Sequence, residues 1–124
     1  MESANVQVLR KMEELFNGRD LDAYLELMDP EVEWHVGEED PDRTVHHGRA
    51  AVRGYLDEWI DSLADLRIHI EEAKDLGDRV RTVIRFTGHG TASGATLHDR
   101  IIFVWSFKDG KVRRADDLGR DQAV

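Results

Sequence analysis

Two aspartates stand out because they sit among strand residues that are otherwise apolar. In LHDRIIFVWSF (97–107) the side chains alternate, and Leu97, Ile101, Phe103, Trp105 and Phe107 share one face with a single charged residue, Asp99. The next stretch, KVRRADDL (111–118), brings a second candidate, Asp117, onto the neighbouring strand. Coupled burial of two carboxyls raises one of their pKa values. An aspartate titrates near about 3.9, so holding a proton at neutral pH needs a rise of about 3 units, or roughly 4 kcal/mol of differential stabilisation. A mostly apolar cavity supplies a shift of that kind. The chemistry to expect is general acid–base proton transfer with Asp117 and Asp99 as the candidate catalytic pair, and it needs no cofactor.

Whether Asp117 faces the cavity depends on the corner Lys108-Asp109-Gly110. If Asp109-Gly110 is a two-residue turn, Phe107 pairs with Val112 and the inward acid is Asp116. If the three residues form a loop ending in a left-handed glycine with a bulge, Arg113, Ala115 and Asp117 face inward. The second arrangement is preferred, because glycine at the last loop position is what that turn needs. Asp99 and Asp117 are then diagonal neighbours roughly 6 to 8 Å apart. An inward Arg113 would oppose a raised pKa by favouring the charged form. The competing reading puts Asp99 in water at the cavity mouth, or paired with Arg100 or Arg113, and lets Asp117 simply end its strand.

The expected cavity wall is Trp34, Tyr55, Trp59, Phe86, Ile101, Phe103 and Trp105, with Arg113. The same residues read equally as core, since a pocket wall is also core. Histidines raise the question of a metal. His89 and His98 lie almost opposite one another on the outer face of a hairpin, but no third ligand is evident and no metal site is expected. His35 shares a strand face with Glu33, and the adjacent pair His46-His47 has poor spacing for joint ligation.

These residues must be positioned by a small set of elements. Val6, Leu9, Met12 (or Glu13) and Phe16 recur at helical spacing, so a helix is predicted over 3–16 with Ser3 as its N-cap and Asn17-Gly18 as its end. Asp20 caps a second helix with Leu21, Tyr24, Leu25 and Met28 on its stripe, stopped by Asp29-Pro30. A short strand over 31–36 turns Val32, Trp34 and Val36 to one side. The polar stretch 37–48 reads as a loop long enough to rim a pocket. A third helix over 49–63 shows Val52, Tyr55, Leu56, Trp59 and Leu63 as a broad stripe. Leu66, Ile68 and Ile70 alternate in the next strand. Gly77-Asp78 then turns into RVRTVIRFTGHG (79–90), where Val80, Thr82, Ile84 and Phe86 share the inward face. The outer face carries Val83, Ile102 and Val104 mid-strand, too apolar for open water, and a partner surface is expected to cover it.

The order is helix, helix, strand, helix, then four strands, which indicates an α+β fold with helices against one concave face of an antiparallel or mixed sheet. With 124 residues the chain is expected to form a single domain, 1–124, large enough for its own core. It has no cysteine, so disulfides and thiolate chemistry are excluded. A net charge of −9 argues against nucleic acid, whose phosphates demand clustered Lys and Arg. Apolar runs are short, no polybasic tract is present, and a cytoplasmic protein without membrane contact is the default expectation.

Four stretches carry a family resemblance: NGRDLDAYLELMDPEVEW, HGRAAVRGYLDEW, GHGTASG and VWSFKDGKV. Together they span nearly the whole chain, which resembles the SnoaL-like branch of the nuclear transport factor 2-like superfamily. The resemblance implies a cystatin-like α+β barrel, its curved sheet wrapped around three helices to form a conical pocket. Ketosteroid isomerases of this superfamily use a first-helix tyrosine, an aspartate on the first strand and a second acid on the penultimate strand. The nearest positions here are Met12, Trp34 and Phe103, none of which moves a proton, so that mechanism is absent. Polyketide cyclases of the SnoaL type place an acid/base aspartate on the last strand and a histidine on the strand before it. Asp117 is the nearest match to the aspartate, and Phe103 stands at the histidine position.

Three readings follow. The first is a cofactor-independent cyclase- or isomerase-like enzyme acting on an apolar cyclic carbonyl compound. The second is a binding module for a small apolar or aromatic ligand, without chemistry. The third is an assembly domain that forms a homodimer through the outer sheet face, compatible with either of the others. A small-molecule pocket with proton-transfer capacity ranks first, because acids embedded in an apolar face are the most specific feature present.

Overall fold

The computed structural model describes residues 2–37 and 40–121. Helix α1 (Ala4–Asn17) begins where Ser3 Oγ accepts the Val6 N–H at 3.2 Å, and it buries Val6, Leu9, Met12 and Phe16 on one side. Its end differs in detail from expectation. Gly18 keeps a helical φ of −82°, and the left-handed residue is Arg19 at φ 62°. Arg19 is held there by hydrogen bonds from its guanidinium to the carbonyl oxygens of Phe16, at 3.1 Å, and Leu66, at 2.6 Å.

Helix α2 (Leu21–Glu26) is capped by Asp20, whose carboxylate accepts the Ala23 N–H at 3.2 Å. It stops earlier than its apolar pattern suggests. Met28, expected on the helical stripe, opens strand β1 (Met28–His35), and Asp29-Pro30 lie inside that strand. Pairing with the last strand places Met28 beside Val112 and Glu33 beside Arg114, with an irregular stretch between. Pro30, which has no N–H to donate, falls in that irregular stretch. The segment 37–48, expected as loop throughout, contains β2 (Val45–His47), an edge strand antiparallel to β1. Helix α3 (Arg49–Ser62) buries Val52 and Leu56.

Strands β3 (Leu63–Asp75), β4 (Arg79–Gly90), β5 (Thr96–Lys108) and β6 (Lys111–Arg120) complete a six-stranded sheet in the order β2-β1-β6-β5-β4-β3. Among the described residues, only the β1–β6 pairing is parallel. The sheet is curved and unclosed, with α1, α2 and α3 completing the α+β architecture. Its concave face and the helices share one core, running from Leu9 and Met12 through Val32 and Leu66 to Val112 and Ala115. Among the described residues, no helix is long and apolar enough to cross a membrane.

The β5–β6 corner combines the two expected arrangements. Asp109 and Gly110 both have positive φ, 52° and 79°, and Lys108 pairs with Lys111, which defines a two-residue turn. Phe107 faces Val112, yet Ser106 faces Arg114, so one extra residue is accommodated immediately after the turn. From there Trp105 faces Ala115 and Phe103 faces Asp117. The short turn is therefore followed by a bulge, and the bulge restores Ala115 and Asp117 to the concave side. Arg113, expected to point inward, is the residue absorbed by the irregularity. Its guanidinium donates to the Glu31 carbonyl and lies 3.8 Å from a Glu33 carboxylate oxygen.

Candidate functional site

On the concave face, three strands bring their side chains into rows. Ala115 of β6 lies between Trp34 of β1 and Trp105 of β5, and one step along β6 on the same face Asp117 lies opposite Phe103. Phe16 from α1, Tyr24 from α2, and Tyr55 and Trp59 from α3 close over these rows, with Phe86 of β4 at the far side. The aromatic rings meet one another closely. Trp34 contacts Phe103 and Trp105 edge-on, each at 5.6 Å between centroids, while Phe103 and Trp105 stack at 5.4 Å. Trp59 approaches Phe86 at 5.8 Å.

The cavity they line is about 40 Å³. A single water needs roughly 10–15 Å³ measured this way, and a pocket for a drug-sized ligand roughly 300–1,000 Å³. The space therefore accepts a few waters, while the aromatic side chains fill the remainder of the cone.

Five polar groups among the described residues bear on the apolar wall or its backing. The Trp105 indole N–H donates to Thr82 Oγ1 at 2.9 Å, and the Thr82 hydroxyl, fully buried, donates to the Phe103 carbonyl at 3.4 Å. The Trp34 indole nitrogen is also buried, but among the described residues it has no hydrogen-bond partner. Asp117 is 7% exposed and accepts the Gly119 N–H at 2.7 Å. A second irregularity follows it, since Ile101 pairs with Arg120 while Phe103 pairs with Asp117, and Gly119 takes the positive φ of 86° that this requires. Burial pushes the Tyr24 phenol well above its usual range, so it remains a neutral O–H.

Trp34, Tyr55, Trp59, Phe86, Ile101, Phe103 and Trp105 line this cavity with Asp117. Asp99 does not. It faces Phe86 across β4–β5, and its carboxylate pairs with Arg120 at 3.3 Å. Asp117 stands opposite Phe103, four residues from Asp99, which is about 13 Å along a strand rather than a diagonal contact. The two carboxyls are thus separate groups, one in the cavity wall and one in an ion pair. Phe16 and Tyr24 were not expected in the wall. The available signal was a tyrosine on the buried stripe of a short helix, because a phenol there needs something polar to face.

The histidines are dispersed. His89 pairs with Thr96 and His98 with Thr87, on the outer side of the hairpin. His46 stacks on Tyr55 at 4.5 Å, which places the short strand β2 beside the cavity aromatics. His35 lies 2.8 Å from Glu33, and this hydrogen bond holds the Glu33 carboxyl below the ordinary range. No cluster of three or more His, Cys, Asp or Glu able to hold a metal occurs among the described residues.

Comparison with known proteins places this geometry among relatives. The family model of the SnoaL-like domain matches residues 9–115. A nuclear transport factor 2-like protein of unknown function from Burkholderia pseudomallei superposes with a TM-score of 0.82 at 22% identity, covering 95% of this chain and 92% of that one. TerC, co-crystallised with polyporic acid, gives 0.81 at 25% identity over 94% and 92%. A Mycobacterium tuberculosis protein in complex with estradiol-17β-hemisuccinate gives 0.80 at 18% over 94% and 93%. No curated protein matches the sequence significantly.

Proposed function

This chain belongs to the SnoaL-like domain family, and from that premise we propose that it binds a small apolar cyclic carbonyl compound between the sheet and the helices, with Asp117 transferring a proton. The observation that carries the reading is one carboxyl, 7% exposed, in the wall of an otherwise aromatic cavity. Burying an ionisable group is costly, and a carboxyl set in a mostly apolar cavity wall marks a candidate for proton transfer. Two relatives of the same fold were solved with ring compounds, polyporic acid and estradiol-17β-hemisuccinate, which supports the ligand class.

The step needs no cofactor. The Asp117 carboxylate takes a proton from carbon next to the ligand carbonyl, and the electron pair moves onto the carbonyl oxygen as an enolate. Returning the proton at another carbon completes an isomerisation. Attack of the enolate carbon on a second carbonyl closes a ring, and the new alkoxide takes the proton back from Asp117. A cavity of about 40 Å³ is smaller than any such ligand, so binding requires the half-buried Tyr55 and Trp59 to move outward.

Thermal unfolding of wild type and Asp117→Asn with polyporic acid, estradiol-17β-hemisuccinate and 1-indanone tests both parts. Ligand at a hundredfold over its Kd adds about 2.7 kcal/mol, a shift of several degrees. A shift in both proteins with turnover only in wild type supports the enzyme. A shift without turnover in either leaves the alternative, a non-catalytic binding module. No shift from any compound would overturn the pocket reading.

The outer sheet face supports a second proposal, a homodimer. Ile102 and Val104 alternate along β5 on the face away from the helices and stay half-buried, while Val83, opposite Ile102, is already only 2% exposed and backs them. Sedimentation at micromolar concentration should give twice the chain mass, and a monomer would sink this reading.

A further inference from the structure

The core holds two buried indoles in contact with each other, and they are treated differently. Trp105 has its acceptor built in, since Thr82 is buried on the adjacent strand with its hydroxyl 2.9 Å from Nε1. Trp34 is 5% exposed, its Nε1 is inaccessible to solvent, and no described residue accepts from it. Buried N–H groups in folded proteins are almost always paired, so an unpaired one calls for an explanation by function or by a bound molecule. An indole is also donor-only: it neither accepts a hydrogen bond nor takes up a proton.

Its position supplies the explanation. Trp34 borders the cavity and is paired with Ala115, while Asp117 lies two residues further along β6 on the same face. A donor and a carboxylate thus sit as diagonal neighbours on adjacent strands, roughly 7–8 Å apart at the backbone. Beside Trp34 on β6 stands the small, fully buried Ala115, and Phe103, opposite Asp117 and 5.6 Å from the Trp34 ring, is the aromatic side chain that adjoins both. We propose that Trp34 Nε1–H donates to a ligand oxygen, so that the site selects flat ring compounds carrying a carbonyl or comparable acceptor at the end nearest Asp117. This rests on the small-molecule reading of the cavity and adds the polar contact that orients the ligand. If Asp117 removes a proton next to that carbonyl, the developing enolate oxygen is the atom Trp34 stabilises, because a fixed donor in a dry site favours the charge that forms there.

The test compares 1-indanone with indane, which has the same carbon frame without the oxygen. Indole-¹⁵N-labelled wild-type protein is titrated with each and followed by ¹H–¹⁵N spectra, the three indole signals being assigned by single Trp→Phe variants. The Trp34 indole proton should move downfield with 1-indanone and not with indane. Trp34→Phe should weaken 1-indanone about tenfold more than it weakens indane, the difference expected for one hydrogen bond, while any packing change acts on both compounds. Equal binding of both compounds with a stationary Trp34 signal would overturn the inference while the cavity reading stood. Binding of neither compound would overturn both. The titration is read on wild type, so it does not depend on the variant folding.

Discussion

Thr82 shows how one hydroxyl ties a site wall together. It is fully buried on β4, receives the Trp105 N–H at 2.9 Å and donates to the Phe103 carbonyl at 3.4 Å. Thr82→Val keeps the shape and removes the acceptor, leaving the indole nitrogen stranded. The expected loss is about 1–3 kcal/mol in urea unfolding, with Thr82→Ser retaining most of it; a Val variant as stable as wild type would show that the bond carries no net stability. Alternation alone placed Thr82 inward with Val80, Ile84 and Phe86, but its partner is 23 residues away and has no sequence signal. The inward placement of Asp117 was legible for the same reason of alternation, although the route to it was not. A two-residue turn and a bulge replace the three-residue loop, and nothing in Val112-Arg113-Arg114 marks which residue the bulge absorbs. Arg113 was misplaced on that account, and the expected coupling of Asp99 with Asp117 failed with the register it assumed.

Helix α1 does more than bury a stripe, because its polar side stands in for a missing strand along the edge of β3. Asn17 accepts the Ile68 N–H at 2.9 Å and donates to the Ile68 carbonyl at 2.8 Å, while Arg10 and Arg19 donate to the carbonyls of Ile70 and Leu66. The edge is thereby closed against pairing with another chain over this stretch. Asn17→Ala removes both bonds, worth about 1 kcal/mol each, against a gain of roughly 0.5 kcal/mol in helix propensity. A net loss near 1–2 kcal/mol should appear, with faster amide hydrogen exchange at Ile68, and unchanged exchange would refute the role. On the opposite side of β3, Glu71 joins Arg85 of β4 to Arg100 of β5. Burial acts to raise its pKa, but the two guanidiniums outweigh it and hold the carboxyl below the ordinary range. A depressed folded pKa stabilises above the unfolded value, about 4.3, and that contribution is lost as pH falls through the lower folded value. Wild type should therefore exceed Glu71→Gln in urea midpoint at pH 7, and the gap should narrow as pH falls below the ordinary carboxylate range. A gap independent of pH would mean packing rather than charge. The elements themselves were largely readable: Ser3 and Asp20 announced α1 and α2, and strict alternation announced β4 and β5. Strand β2 was not, since three residues carry no period, and α2 lost Met28 because parallel pairing with Val112, 84 positions on, overrode a helical stripe.

At the scale of the whole molecule the concave face of the sheet is turned toward three helices, and aromatic side chains from both layers fill the space between. That filling was the least legible property, because the sequence shows which residues face inward but not whether their rings meet. They do meet, and only about 40 Å³ remains. A protein whose binding-competent state requires ring displacement has an apparent affinity reduced by the fraction of molecules already open. Trp59 is the side chain to examine, since it is half-buried on α3 and bridges Tyr55, at 6.3 Å, and Phe86, at 5.8 Å. Trp59→Ala enlarges the cavity without touching Asp117 or Trp34. It should cost about 2 kcal/mol of stability, less than the roughly 3–5 kcal/mol of a fully buried tryptophan. If closure by Trp59 limits access, the variant should bind estradiol-17β-hemisuccinate about tenfold more tightly by calorimetry, with a smaller gain for the compact 1-indanone. Weaker binding of both compounds would instead make Trp59 a ligand-contacting wall, and the closed cone would then have to open elsewhere, with Tyr55 and the His46 stacked on it as the next place to cut.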